Sequence, residues 1–229
     1  MNKGETRPSF DELRTGFTAA VSHELRTPLA RILALLESST LPGADVDALI
    51  DQARAEVENA GTLIDEILFL SELESGREVV ALGYTNALPV LEEVLAEHAD
   101  AAARAGVQLE ATGDPNVDLP LRPRMLRIVA ENLVENAIRY AGHAATFGLT
   151  VERSGDVTTL TAADDGPGVS ETDLPRLFER FWRADAARAS RGTGLGLAIV
   201  KHVVVAAGGT VEARSGSGRG LEVICVFPA

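Results

Sequence analysis

Between Phe10 and Leu73 apolar residues recur every three or four positions in two long runs, broken once by "SSTLPGAD". The first run passes through Phe10, Leu13, Phe17, Ala20, Leu25, Leu29, Ile32 and Leu36. The second passes through Val46, Leu49, Ala53, Val57, Ala60, Ile64 and Ile67, in steps of four and three like a heptad seam, and "ESGRE" ends it just past Leu73. The spacing predicts two long helices joined by a short turn at Pro42 and Gly43, an antiparallel hairpin. A lone hairpin has too little partner surface to bury both stripes. Either a second copy completes a four-helix bundle, or the rest of the chain docks against the hairpin.

After Gly76 the texture changes. "EVVALGY" reads as a strand, Ala87 to Arg104 as an amphipathic helix and "VQLEA" as a short strand. Pro123 is well placed in the first turn of a helix through "MLRIVAENLVENAIRYA". "TFGLTVER" and "DVTTLTAAD" alternate like paired strands about a turn at Ser154 and Gly155. A last helix through "LAIVKHVVVAAGG" stops at Gly208 and Gly209, and "GTVEARS" with "GLEVICVFP" reads as a closing hairpin. The expected fold class is therefore α+β in two domains: the helical hairpin, then an α/β sandwich with one mixed sheet. The boundaries read as a tail over 1–9, a helical domain over 10–75, a linker and first strand over 76–86, and a second domain over 87–229.

The 229 residues are ample for two cores. A net charge of −13 weighs against nonspecific binding to nucleic acid or anionic membrane, so positive charge for a phosphorylated ligand must be local. The single Cys225 rules out an internal disulfide and fits a reducing compartment. No apolar run approaches the roughly 20 residues that cross a bilayer, and "MNKGETRPSF" lacks a signal peptide's apolar stretch. The chain as written reads as cytoplasmic. Any membrane attachment, such as an inner-membrane anchor of a parent protein, would come from a segment absent from this chain.

Several short stretches carry chemistry. "SHELRTP" puts His23, Glu24 and Thr27 in one turn and a half, ahead of Pro28. His23 lies off the apolar stripe, so its ring is expected to face solvent, and a neutral imidazole is a nucleophile near neutral pH. Pro28 lacks the N–H that would bond the Glu24 carbonyl, which loosens the helix there and predicts a local bend. Asn132 and Asn136 stand four apart on one helical face, near Glu135 and Arg139. Amide oxygens at that spacing suit a hard cation such as Mg²⁺ that shares its shell with phosphate and water. "DDGPG" sets Asp164 before Gly166 and Gly168 at a strand end. "RGTGLGL" places Gly192, Thr193, Gly194, Leu195, Gly196 and Leu197 at a helix start, where free N–H groups and the dipole favour phosphate. Between them "LFERFWRADAARASR" contributes Phe178, Phe181 and Trp182, read as core, and Arg183, Arg188 and Arg191, read as a basic lid.

In this order "FTAAVSHELRTPL", "NLVENAIRY", "DDGPG", "LFERFWR" and "GTGLGL" resemble the histidine, asparagine, first glycine, phenylalanine and second glycine boxes of a sensor histidine kinase. The resemblance runs from Phe10 to Pro228. It implies a dimerisation and histidine-phosphotransfer hairpin followed by an ATP-binding domain of the GHKL type. By this likeness His23 is the phosphoacceptor, Glu24 orients its ring and takes up its proton, and Thr27 places the water that dephosphorylates a partner. Asn136 would ligate Mg²⁺ with Asn132 as companion, and Asp164 would accept the adenine amino group. Gly166 and Gly168 would allow close approach to the base, and Gly192 to Leu197 would wrap the phosphates. Arg139, Tyr140, Arg183, Arg188 and Arg191 would line the nucleotide pocket. The implied activity is ATP-dependent autophosphorylation of His23 and transfer to an aspartate of a response regulator receiver domain, with phosphatase activity besides. The implied assembly is a homodimer through residues 10–75. Arg139 stands where lysine is frequent, and Leu221 and Glu222 where small hydroxyl residues are common.

Two other readings compete. A silent scaffold that only binds nucleotide and dimerises is disfavoured by the intact Asn136, Asp164 and "GTGLGL". A GHKL chaperone or DNA topology enzyme would account for the second domain but leave "SHELRTP" unexplained.

Overall fold

The two helical stripes become α1 (Phe10–Ser38) and α2 (Val46–Glu74). The computed structural model describes residues 10–75, 83–184, 192–215 and 220–228, with side chains from residue 20 onward. Asp45 caps α2, its carboxylate accepting the Ala48 N–H at 3.1 Å. Gly43 takes φ +80° in the connecting turn. Arg31 of α1 pairs with the nearly buried Glu56 of α2 at 3.6 Å, an ion pair that joins the two arms of an antiparallel hairpin. Pro28 lies inside α1, which continues as helix on both sides of it. Among the described residues no helix is long and apolar enough to cross a membrane.

By its internal contacts the chain divides into two compact units, Met1–Leu68 and Phe69–Ala229. The last turns of α2 therefore group with the second unit. There Leu70 is fully buried, and the Arg124 guanidinium stacks 5.9 Å from the Phe69 ring centre.

The second unit begins with β1 (Thr85–Asn86), α3 (Ala87–Ala105), β2 (Gln108–Gly113) and β3 (Asp118–Leu119). It continues with α4 (Pro123–Tyr140), β4 (Thr146–Ser154), β5 (Val157–Asp164), a 3₁₀ turn over Leu174–Arg176, α5 (Gly196–Ala206), β6 (Thr210–Ser215) and β7 (Leu221–Pro228). Five strands form one mixed sheet in the order β2-β4-β5-β7-β6, with β2 parallel to β4 and the other neighbours antiparallel. Of the expected strand "EVVALGY", 78–82 lie outside the described residues, while Gly83 and Tyr84 are not strand. The first described strand is β1, which joins β3 in a separate two-stranded pair. β3, too short for a periodic signal, was not anticipated.

Alternation sets one face of the sheet against the helices. Phe147, Leu149 and Val151 of β4, Leu160 and Ala162 of β5 and Phe227 of β7 are buried, together with Leu91 and Val94 of α3 and Ile199, Val200 and Val203 of α5. α4 buries Met125, Leu126, Val129, Ala130, Leu133, Val134 and Ala137, a helical stripe, and so lies in the core between α3 and α5. Cys225 is buried within β7, and burial pushes its thiol up to about 12.

Candidate functional site

In the first unit His23 and Thr27 are exposed on α1 and Glu24 is half-buried beside them. The Thr27 hydroxyl donates to the His23 carbonyl at 3.4 Å, one turn back along the same face. His23, Arg26, Thr27, Ala30, Arg31 and Ala34 line a cavity of about 440 Å³ along this helix.

In the second unit, the period of α4 that buries its apolar stripe leaves Asn132, Asn136 and Tyr140 half-buried along one flank, at steps of four. Asn132 donates from Nδ2 to the Ile128 carbonyl at 2.8 Å, which leaves its oxygen pointing at the start of α5. A Cβ on Gly196 would stand 2.6 Å from that oxygen, so only glycine lets the two helices approach this closely. Arg139 pairs with Glu135 at 2.8 Å. Gly192 lies beside the Tyr140 hydroxyl and the Arg139 guanidinium. Gly194 takes φ +72° with its Cα against the Phe181 backbone, and the Phe181 N–H donates to its carbonyl at 2.9 Å. Thr193 accepts the Leu195 N–H at 3.2 Å, Leu195 is fully buried, and no side chain caps α5. The first-turn N–H groups of α5 are thereby available to an anion.

Asp164 continues the inward-facing parity of Thr158, Leu160 and Ala162 along β5, which makes it a half-buried acid at a strand end. Its Oδ1 accepts the N–H groups of Gly166 at 2.9 Å and Leu221 at 3.3 Å. No hydrogen bond among the described residues reaches its second oxygen. Burial raises the Asp164 carboxyl above the usual aspartate range, opposed by these two N–H bonds and reinforced by the neighbouring Asp165 charge. Asp165 turns away and accepts the Thr146 N–H at 2.7 Å, tying the loop to the start of β4. Gly166 packs against the backbone of Ala141, just past α4, and Gly168 takes φ +73° in the same loop.

Sequence-predicted residues from three distant segments therefore converge: the flank of α4, the loop after β5 and the glycine run before α5. This arrangement fits an adenine nucleotide. It offers a half-buried acceptor for an amine, an uncapped helix start for phosphate and half-buried amides for a cation. Arg183 is half-buried, while Arg188 and Arg191 lie outside the described residues. Phe178, Phe181 and Trp182 are only partly buried, and Arg176 stacks 5.5 Å from the Trp182 ring centre. Sequence reasoning missed the Leu221 N–H, because nothing local marks a group that reaches Asp164 from another strand.

Residues 13–76 match the His Kinase A (phospho-acceptor) domain, and residues 122–229 match the histidine kinase-, DNA gyrase B- and HSP90-like ATPase domain. The sensor-like histidine kinase SenX3 of Mycobacterium tuberculosis is 32% identical over 226 residues, covering 96% of this chain and 55% of its own. The chain belongs to the sensor histidine kinases. Another relative of this histidine kinase core, the phosphate regulon sensor protein PhoR of Pseudomonas aeruginosa, is 34% identical over 232 residues, 95% of this chain and 51% of its own. The core thus spans about half the length of these curated relatives. Among solved structures, the Acinetobacter baumannii histidine kinase AdeS superposes with a TM-score of 0.74 at 26% identity, covering 90% of this chain and 97% of that one. ShkA, solved at full length in complex with AMPPNP, gives 0.68 at 27% identity, over 92% of this chain and 45% of that one.

Proposed function

We propose that the chain is the catalytic core of an ATP-dependent protein-histidine kinase that autophosphorylates His23 and passes the phosphoryl group to an aspartate of a response regulator. The observation that carries the reading is that one chain holds both halves of such a reaction. An exposed histidine stands beside an acid and a hydroxyl on a helix, and a half-buried aspartate shares a site with an uncapped glycine-rich helix start. AMPPNP bound to ShkA supports the nucleotide half.

In this reading Asn136 would ligate Mg²⁺, with Asn132 as its companion one turn earlier, and Asp164 receives the adenine amino group. Gly166 and Gly168 let the base approach, and the segment from Gly192 to Leu197 holds the phosphates. Arg139, Tyr140 and Arg183 complete the pocket, with Arg188 and Arg191 beyond the described segment. Bound Mg²⁺–ATP would supply the γ-phosphoryl group. The chain's own part is to present His23, to take its proton onto Glu24 and to keep donors aimed at phosphate. Thr27, one turn from His23, positions a water for removal of phosphate from the partner.

We further place the phosphotransfer domain at 10–75, a linker with the first strand at 76–86 and the ATP-binding domain at 87–229. The core works in the cytoplasm as a homodimer through the hairpin.

Incubation with radiolabelled ATP and Mg²⁺ tests the assignment. An acid-labile label is expected on the wild-type chain and none on His23→Gln. A label that persists in the variant would remove His23 from its role.

A further inference from the structure

We propose that Ser215 is a positioning residue for the base-recognising carboxylate, holding in register the peptide plane that donates to Asp164. The proposal rests on the reading that Asp164 receives adenine's amino group. Ser215 ends β6, opposite Leu221 at the start of β7, and is half-buried. Its hydroxyl donates to the Gly220 carbonyl at 2.5 Å and accepts the Val169 N–H at 2.7 Å. A hydroxyl has one hydrogen to give and lone pairs to receive, so a single side chain makes both bonds at once.

The Gly220 carbonyl and the Leu221 N–H belong to the same planar peptide unit and point to opposite sides of it. Ser215 grips one side of that plane, and Asp164 Oδ1 accepts the N–H on the other at 3.3 Å. The adjoining Gly220 N–H donates to the Gly166 carbonyl at 3.0 Å. Through Val169 the same hydroxyl fixes the far end of the loop that begins at Asp164. Ser215 thus holds two points, one on each side of the carboxylate, from a strand 51 positions further along the sequence. Without it the peptide plane can rotate and Asp164 loses the bond that aims its second oxygen.

The test compares ADP with inosine diphosphate, which lacks the exocyclic amine, by calorimetric titration of the full 229-residue chain. Ser215→Ala is expected to weaken ADP binding on the order of tenfold, the worth of one or two hydrogen bonds, and to leave inosine diphosphate affinity unchanged. Ser215→Thr is expected to restore the wild-type ratio. An equal loss for both nucleotides, or no loss of ADP affinity, overturns the assignment. Should Ser215→Ala fail to fold, Ser215→Cys, similar in size but a poor hydrogen-bonding group, is held to the same ratio. Asp164→Asn is measured alongside. If it leaves the ADP preference intact, the base-recognition reading falls and takes the proposal with it. If the preference is lost there but kept in Ser215→Ala, the Ser215 role alone is wrong.

Discussion

Asp164 is an acid placed by strand parity where an apolar residue would cost less. Its burial raises the carboxyl's titration range, so between the ordinary aspartate range and the raised one the folded chain binds more protons than the unfolded chain. Stability therefore falls as pH rises through that window, and at neutral pH the ionised side chain is a liability to the fold. Asn at this position keeps an acceptor for the Gly166 and Leu221 N–H groups and removes the charge. Its other face becomes a donor, opposed to the adenine amine. Asp164→Asn is expected to melt above the wild type at neutral pH, with the gap closing toward pH ~4, where aspartates ordinarily protonate. ADP affinity is expected to fall by about tenfold or more. Paired melting curves and calorimetric titrations check both. The sequence motif located Asp164 and the nearby Gly166, but the Leu221 donor was not legible, because it lies far along the chain.

At the scale of the element, the hairpin separates two faces that the sequence pattern runs together. Leu25, Ile32, Leu49, Ala53 and Ala60 are half-buried, whereas Leu29, Leu36, Val46, Val57 and Ile64 from the same stripes are exposed. Leu33, Ile50 and Leu68, off the stripes as read, join this exposed face, and Leu63 joins the buried one. The pattern could not divide them, since an apolar stripe is wide enough to meet two partners and periodicity does not say which edge meets which. Leu33 at 58% exposure and Ile64 at 44% are the positions to change, because charge there spares the contacts within the hairpin. Leu33→Glu with Ile64→Glu is expected to weaken dimerisation at least ~tenfold, since each buried Leu or Ile is worth roughly 1.5–3 kcal/mol. The helix content of the hairpin should be kept. Sedimentation velocity over a concentration series with circular dichroism measures this. A dimer of unchanged affinity would move the interface elsewhere.

At the scale of the whole molecule, His23 and Asp164 belong to different compact units of one acidic chain. In the proposed function, separate units let one histidine gain a phosphoryl group from the nucleotide and pass it on to a partner whose phosphate is later removed. In that reading Thr27 bears only on the removal. Thr27→Ala is expected to keep autophosphorylation near the wild-type rate while slowing dephosphorylation of the partner regulator about a hundredfold, the low end of the usual worth of a positioned proton-transfer group. Label retention on the kinase and decay of label on the regulator read the two separately. Equal decay with wild type and variant would assign the phosphatase step to another residue.

The sequence by itself determined the five long helices and the five strands of the main sheet and in what order they come, but not the short β1 and β3. It also located the residues to which the proposed function assigns the chemistry: His23 beside Glu24, Asn136 on its helix flank, Asp164 before its glycines and the glycine run before α5. These are short-range matters, governed by side-chain period, turn residues and helix starts. The tertiary structure alone decided that β1 pairs with β3 instead of joining the main sheet, that Asn132 presses against Gly196, and that Ser215 and Leu221 hold the loop around Asp164. Such contacts arise when strands distant in the chain settle into register. That register is set by the burial of one whole sheet face, which no local window of sequence contains.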